Sequence, residues 1–173
     1  MSELAHGCVP AASRRTPPSP GGAMADYSHL IGLVEALHRL LFDSIKDELD
    51  RKGNSEINSV QALLLYKIGS NTYTIGELRR LGCFHGSNVT YSVKHLANAN
   101  FIIYSKVTND RRSALVSLTS KGWQVHAAMD QLFERQSRNI EGLGVLGRDQ
   151  LETVNHSLSG IRSFLVDHIR FRL

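Results

Sequence analysis

The sequence predicts a mainly α-helical protein carrying one small β-hairpin, and three observations carry that expectation. Apolar residues recur at helical spacing over most of the chain after Ala25. Phe101 to Leu118 instead holds two short runs rich in Ile, Tyr, Val and Leu around a polar turn. The longest helical stripes lie outside that hairpin, at the two ends of the chain.

At 173 residues, with 42% hydrophobic and 21% charged, the chain fits one globular domain with a sizeable core. Residues 1–24 read as a disordered leader. They hold Pro10, Pro17, Pro18 and Pro20, all four prolines of the sequence, followed by Gly21 and Gly22. The leader lacks the apolar centre of a signal peptide. No run approaches the roughly 18 apolar residues of a membrane span. A cytoplasmic protein without membrane contact is expected. Residues 25–173 form the single domain, with 57–121 as its compact middle and 25–53 and 120–172 as flanking helices.

In chain order, Leu30, Leu33, Val34, Leu37, Leu40, Leu41, Ile45 and Leu49 keep the 3–4 spacing of one long helix that Gly53 ends. Val60, Leu63, Leu64 and Ile68 mark the next, opened by Asn58 or Ser59. Tyr73 to Ile75 reads as a short strand. Thr74 with Glu77 three residues on is a capping box for a short helix from Ile75 to about Leu81. Gly82 to Gly86 is a turn. The following helix has Val89, Val93 and Leu96 on one face and Asn88, Tyr91, Lys94, His95 and Asn98 on the other. Ser87 is placed to cap its start, and Asn100 suits a left-handed end. Phe101 to Lys106 and Ala114 to Leu118 are the hairpin strands, with Asn109, Asp110, Arg111 and Arg112 at the tip. Thr119-Ser120 caps a long helix that Gly142, Gly144 and Gly147 close. In the last helix Leu151, Val154, Leu158, Ile161, Leu165 and Ile169 approach a heptad seam.

Helix, turn, helix and basic hairpin, in that order, make a winged helix-turn-helix. The charge agrees. The net charge is +4, and from Thr74 to Lys121 seven basic residues face two acidic ones, 7 − 2 = +5, so the remainder sums to −1. The polar face of the second helix carries groups able to read base edges in a major groove. Arginines on an adjoining loop suit phosphates or a narrow minor groove.

The run NVTYSVKHL, an apolar strand, NDRRS and then VSLTSKG resembles the MarR family of bacterial transcription regulators. Asp110, Arg111, Arg112, Leu118, Thr119, Lys121 and Gly122 match the family's wing and following strand in order and spacing. Tyr91 departs from the Arg frequent there, and Asn100 from the usual Gly. The resemblance implies a homodimer, built by the end helices, on a pseudo-palindromic double-stranded DNA operator. It implies that Arg111 enters the minor groove and that Asp110 braces the wing. The expected DNA-binding set is Arg79, Ser87, Asn88, Thr90, Tyr91, Lys94, His95, Lys106, Asp110, Arg111 and Arg112. The resemblance also implies a response to stress or to a small aromatic effector, for which Tyr27, His38, Phe42, Tyr66 and Trp123 are candidate lining residues, although each is more often plain core. A winged-helix protein–protein adaptor is the alternative that the basic excess disfavours.

Cys8 and Cys83 make no disulfide framework. Cys83 lies near Arg79, Arg80 and His85 before a helix start, where a thiol pKa falls, so it is a candidate redox site. A small buried residue beside Phe84 is the favoured alternative. The eight histidines show no metal-ligand spacing. No nucleophile elbow, P-loop or dinucleotide loop is present. Asp43, Asp47 and Asp50 read as a solvated helix face. No enzyme, cofactor or metal is expected.

Overall fold

A computed structural model of the chain describes residues 20–80, 86–106 and 114–171. The elements follow as α1 (Pro20–Arg51), α2 (Ser59–Ile68), β1 (Tyr73–Thr74), α3 (Ile75–Arg80), α4 (Gly86–Asn98), β2 (Ile102–Lys106), β3 (Ala114–Leu118), α5 (Ser120–Gly142) and α6 (Arg148–Phe171). This is the expected mainly α fold with a small sheet.

Two boundaries differ. α4 begins at Gly86, so Ser87 stands inside its first turn and not at its cap. α1 begins at Pro20, not Ala25, and takes in residues 20–24 of the expected leader. Proline and two glycines read as breakers in sequence. At the first turn, however, a fixed φ and a missing N–H cost nothing, because that N–H has no helical partner anyway.

The chain divides between Leu40 and Leu41 into two units. In the first, Leu33, Val34, Leu37 and Leu40 of α1 are 44% to 64% exposed. In the second, Ile45, Leu49, Leu64, Leu65, Ile68, Leu78, Val89, Val93, Leu96, Phe101, Val116, Val125 and Met129 are buried in one core. The sheet order is β1-β3-β2, all antiparallel. β3 is central: Val116 pairs with both Tyr73 and Tyr104, and Leu118 pairs with Ile102. The hairpin tip, residues 107–113, lies outside the described residues.

Local chemistry fixes the element starts. Asn58, not Ser59, caps α2, in a reciprocal box with Gln61. The Ser59 hydroxyl then donates to the Phe42 carbonyl at 2.7 Å, tying α2 back to α1. Gly53 turns the chain out of α1 at φ +72°, and Asn100 turns it out of α4 at φ 62°.

A polar joint forms where the end of α4, the start of β2 and the start of α5 meet. The Thr119 hydroxyl accepts from the Gly122 N–H at 3.1 Å and lies 2.7 Å from the Asn100 carbonyl oxygen, to which it donates. The Lys121 ammonium donates to the Ala99 carbonyl at 3.0 Å, pairs with Glu56 at 2.6 Å and sits 4.2 Å from the Phe101 ring centre. Lys121 thus caps the C-terminal end of α4, where a cation is favoured. Its charge is matched by Glu56 and it is tied to the Ala99 carbonyl, so it does not belong to the DNA-facing excess counted from sequence.

α1 and α5 share an ion pair whose carboxylate is buried and whose arginines reach solvent. Glu48 is wholly buried, contacts Arg51 one turn on, and accepts from Arg135 of α5 at 2.6 Å. Asp43, Asp47 and Asp50 on the same helix are exposed, as read from sequence. α6 buries no residue: Leu151, Val154, Leu158, Leu165 and Ile169 are 37% to 78% exposed. Among the described residues no helix is long and apolar enough to cross a membrane.

Candidate nucleic-acid interface

The candidate interface is built on α4. Val89, Ser92, Val93 and Leu96 are buried, and they lie on one side of the helix. Tyr91 is 69% exposed, and Lys94 and Asn98 are also exposed, on the opposite side. Thr90 and His95 sit half-buried at the two edges between these faces. The outward face is therefore narrower than the set expected from sequence.

The edges have different neighbours. On one, the Arg79 guanidinium donates from Nη2 to the Thr90 hydroxyl at 2.8 Å. On the other, the His95 ring stacks near Tyr91, with centroids 6.4 Å apart, and among the described residues its buried Nδ1 has no hydrogen-bond partner. Tyr91 and His95 there line a cleft shared with Lys46, Asp50 and Glu56.

α3 presents Arg79 through its own cap. The Thr74 N–H donates to Glu77 at 2.7 Å, and the Glu77 N–H donates back to the Thr74 hydroxyl at 3.2 Å. The Thr74 N–H, then the Thr74 hydroxyl, hold the Glu77 carboxyl below the ordinary carboxylate value, with Arg80 adding to the effect. Leu78 is buried beneath, which leaves Arg79 and Arg80 at the exposed end of the helix.

Of the remaining expected site residues, Ser87 and Asn88 fall in the first turn of α4 and Lys106 ends β2, but their side chains lie outside what is described. Cys83, Asp110, Arg111 and Arg112 lie outside the described residues. Two of the candidate effector-lining residues meet on one histidine. Tyr66 stacks on His126 at 5.1 Å, and Trp123 approaches the same ring at 5.0 Å. Sequence reading overlooked His126, although it sits one turn after Trp123, a spacing that places both on one face of α5.

A capped helix, a second helix with a polar outward face and a three-stranded antiparallel sheet, in that order, define a winged-helix architecture. Residues 57–122 match the family model described as a winged helix DNA-binding domain. The exopolysaccharide II synthesis transcriptional activator ExpG of Rhizobium meliloti (strain 1021) is 31% identical over 136 residues, 79% of this chain and 70% of that protein. Among solved structures, Streptococcus pneumoniae FabT in complex with DNA superposes with a TM-score of 0.64 at 17% identity, over 82% of this chain and 98% of that one. Staphylococcus aureus MarR in complex with salicylate and kanamycin gives 0.68 at 16% identity, over 83% and 94%. A mutant E. coli MarR complexed with operator DNA gives 0.63 at 20% identity, over 83% and 99%. The chain belongs to the MarR family of winged-helix transcription regulators. It is a DNA-binding regulator of transcription and not an enzyme.

Proposed function

We propose that the protein acts as a homodimer on a pseudo-palindromic operator, with α4 of each copy in a major groove. The observation that carries this reading is the two-sidedness of α4: one face is buried to within a few per cent, while Tyr91 and Lys94 on the other project into solvent. Ser87, Asn88, Tyr91 and Lys94 are the base-facing set, with Thr90 and His95 at its edges. Lys106 contacts phosphate. Arg111 and Arg112 hold the minor groove or its backbone, with Asp110 bracing the wing. Residues 57–121 form the DNA-binding part. The exposed apolar stripes of α1 and α6 support dimerisation through 25–53 and 120–172, because faces of this size left in water are unfavourable. The relative's role as an activator supports activation as the sign of control.

A twofold dimer sets its two recognition helices on one side of the duplex. Half-sites about 10–10.5 bp apart, centre to centre, are expected in a footprint. A single unrepeated half-site, or a monomer in sedimentation at micromolar concentration, contradicts the dimeric reader.

The wing is tested by Arg111→Ala. It is expected to weaken operator and scrambled duplex alike and to flatten the log–log salt slope by about 1. Tyr91→Ala is expected to cost about 1–3 kcal/mol on the operator and less on scrambled DNA. Unchanged binding by Arg111→Ala on both duplexes removes the wing assignment. A small aromatic acid such as salicylate, held by the Staphylococcus aureus neighbour, is the effector class supported by the rings of Tyr66, His126 and Trp123. Trp123 is the only tryptophan, so saturable quenching of its emission by salicylate tests this directly.

A further inference from the structure

We propose that Arg79 is a positioning residue, which through the Thr90 hydroxyl sets the rotation of α4 about its own axis and so decides which base edges Tyr91 and Lys94 meet. The inference rests on the operator-reading proposal above. It departs from the expectation that Arg79 and Thr90 are both direct DNA contacts.

The contact is well placed for such a role. Thr90 lies at the boundary between the buried and outward faces of α4, so a bond there acts tangentially to the helix. Val89, Val93 and Leu96 fix how deep the helix sits, but a small apolar face resists rotation weakly. Arg79 Nη2 at 2.8 Å from Thr90 Oγ1 supplies the missing restraint. Arg79 is itself anchored. The Thr74–Glu77 box fixes the start of α3, and Leu78, the preceding residue, is 0% exposed.

The lever is large. Turning a helix by about 20° moves atoms at its outer radius of about 5–6 Å by about 2 Å. Hydrogen bonds to base edges tolerate far less, since their donor–acceptor distances span only about 0.5 Å. Loss of the restraint should therefore weaken discrimination while leaving charge-driven binding in place. A guanidinium also keeps further N–H donors after bonding Thr90, so its charge near DNA does not by itself settle its role.

The experiment separates the roles through the acceptor. Full-length protein is used to enrich duplexes from a random-sequence pool. The enriched duplex and a scrambled one of equal composition are then titrated at several salt concentrations with wild type, Thr90→Val, Thr90→Ser, Arg79→Met and the Arg79→Met/Thr90→Val double variant. Thr90→Val keeps shape and the Arg79 charge but removes the hydroxyl. It is expected to lower the operator-to-scrambled affinity ratio on the order of tenfold with an unchanged salt slope. Thr90→Ser is expected to restore the ratio to within about twofold of wild type. Arg79→Met should lower the ratio as much as Thr90→Val does, and the double variant no further, because the two groups act as one unit.

An unchanged ratio in Thr90→Val overturns the proposal. So does an additive double variant, which makes Thr90 an independent base reader. A loss by Arg79→Met that is equal on both duplexes, with a slope lowered by about 1, makes Arg79 a phosphate contact. If Arg79→Met fails to fold by circular dichroism, the Val and Ser pair at Thr90 decides alone. A wild-type protein that enriches no sequence fails the operator reading itself, and that failure is visible before any variant is made.

Discussion

Replacing Gly122 with alanine is expected to lower the thermal midpoint by roughly 10 °C, the largest effect of any single methyl group added to the described fold. A Cβ built on Gly122 falls 2.2 Å from the Phe101 carbonyl oxygen and 3.3 Å from two Leu118 side-chain atoms. The first obstacle is backbone, so no rotamer relieves it. The same carbonyl accepts the Thr119 N–H at 3.0 Å, and the Phe101 side chain is wholly buried. To admit the methyl, α5 must slide away from β2, which breaks the Thr119 cap. Overpacking against rigid atoms and loss of an N-cap together cost about 3–4 kcal/mol. Gly142→Ala is the control, since nothing lies within 4 Å of its added Cβ. It is expected to leave the midpoint unchanged or slightly raised. A Gly122→Ala protein melting within about 2 °C of wild type shows that α5 enters the joint less tightly than described.

That joint also shows what the sequence does and does not reveal. Leu118, Thr119, Lys121 and Gly122 are legible as a family mark. Their cause is not, because it lies in contacts with Ala99, Asn100 and Phe101 that only the fold brings within reach. Lys121 was therefore counted with the DNA-facing charge, although its ammonium holds the end of α4. Features whose partners are three or four residues away fared better. The Thr74–Glu77 box, the Thr119 cap and the left-handed Asn100 all follow from local rules.

Contacts between one helix and the next were hidden. Arg79 and Thr90 are eleven residues apart, and nothing in either residue type announces their bond. The apolar stripes of α1 and α6 are legible by period, but period gives a face and not its neighbour. Glu48 was hidden in a different way. It sits between Ile45 and Leu49 on the buried stripe, so its position alone called for a cationic partner. The acids read as a solvated face, Asp43, Asp47 and Asp50, are exposed, and that reading did not extend to Glu48. Its partner Arg135 lies 87 residues on, beyond any pattern rule.

The ion pair at Glu48 gives the second large effect, and its sign depends on which partner is removed. Arg135→Met is expected to destabilise by about 3 kcal/mol, because it leaves a wholly buried carboxylate short of its partner on α5. The figure is the low end of the usual range, since Arg51 still contacts the same carboxylate. Glu48→Met is expected to cost far less or to stabilise. It removes the buried charge, and the arginines left behind are 40% and 63% exposed, so water takes the carboxylate's place around them. One Glu48 oxygen has no hydrogen-bond partner among the described residues, and the substitution removes that buried polar atom too. The double variant Glu48→Met/Arg135→Met should then be more stable than Arg135→Met alone, although it carries one more substitution. Urea unfolding of the four proteins at neutral pH measures all three differences in one cycle. Additive losses in the double variant would mean that the two side chains contribute separately, and that α1 and α5 are held by apolar packing without help from this pair.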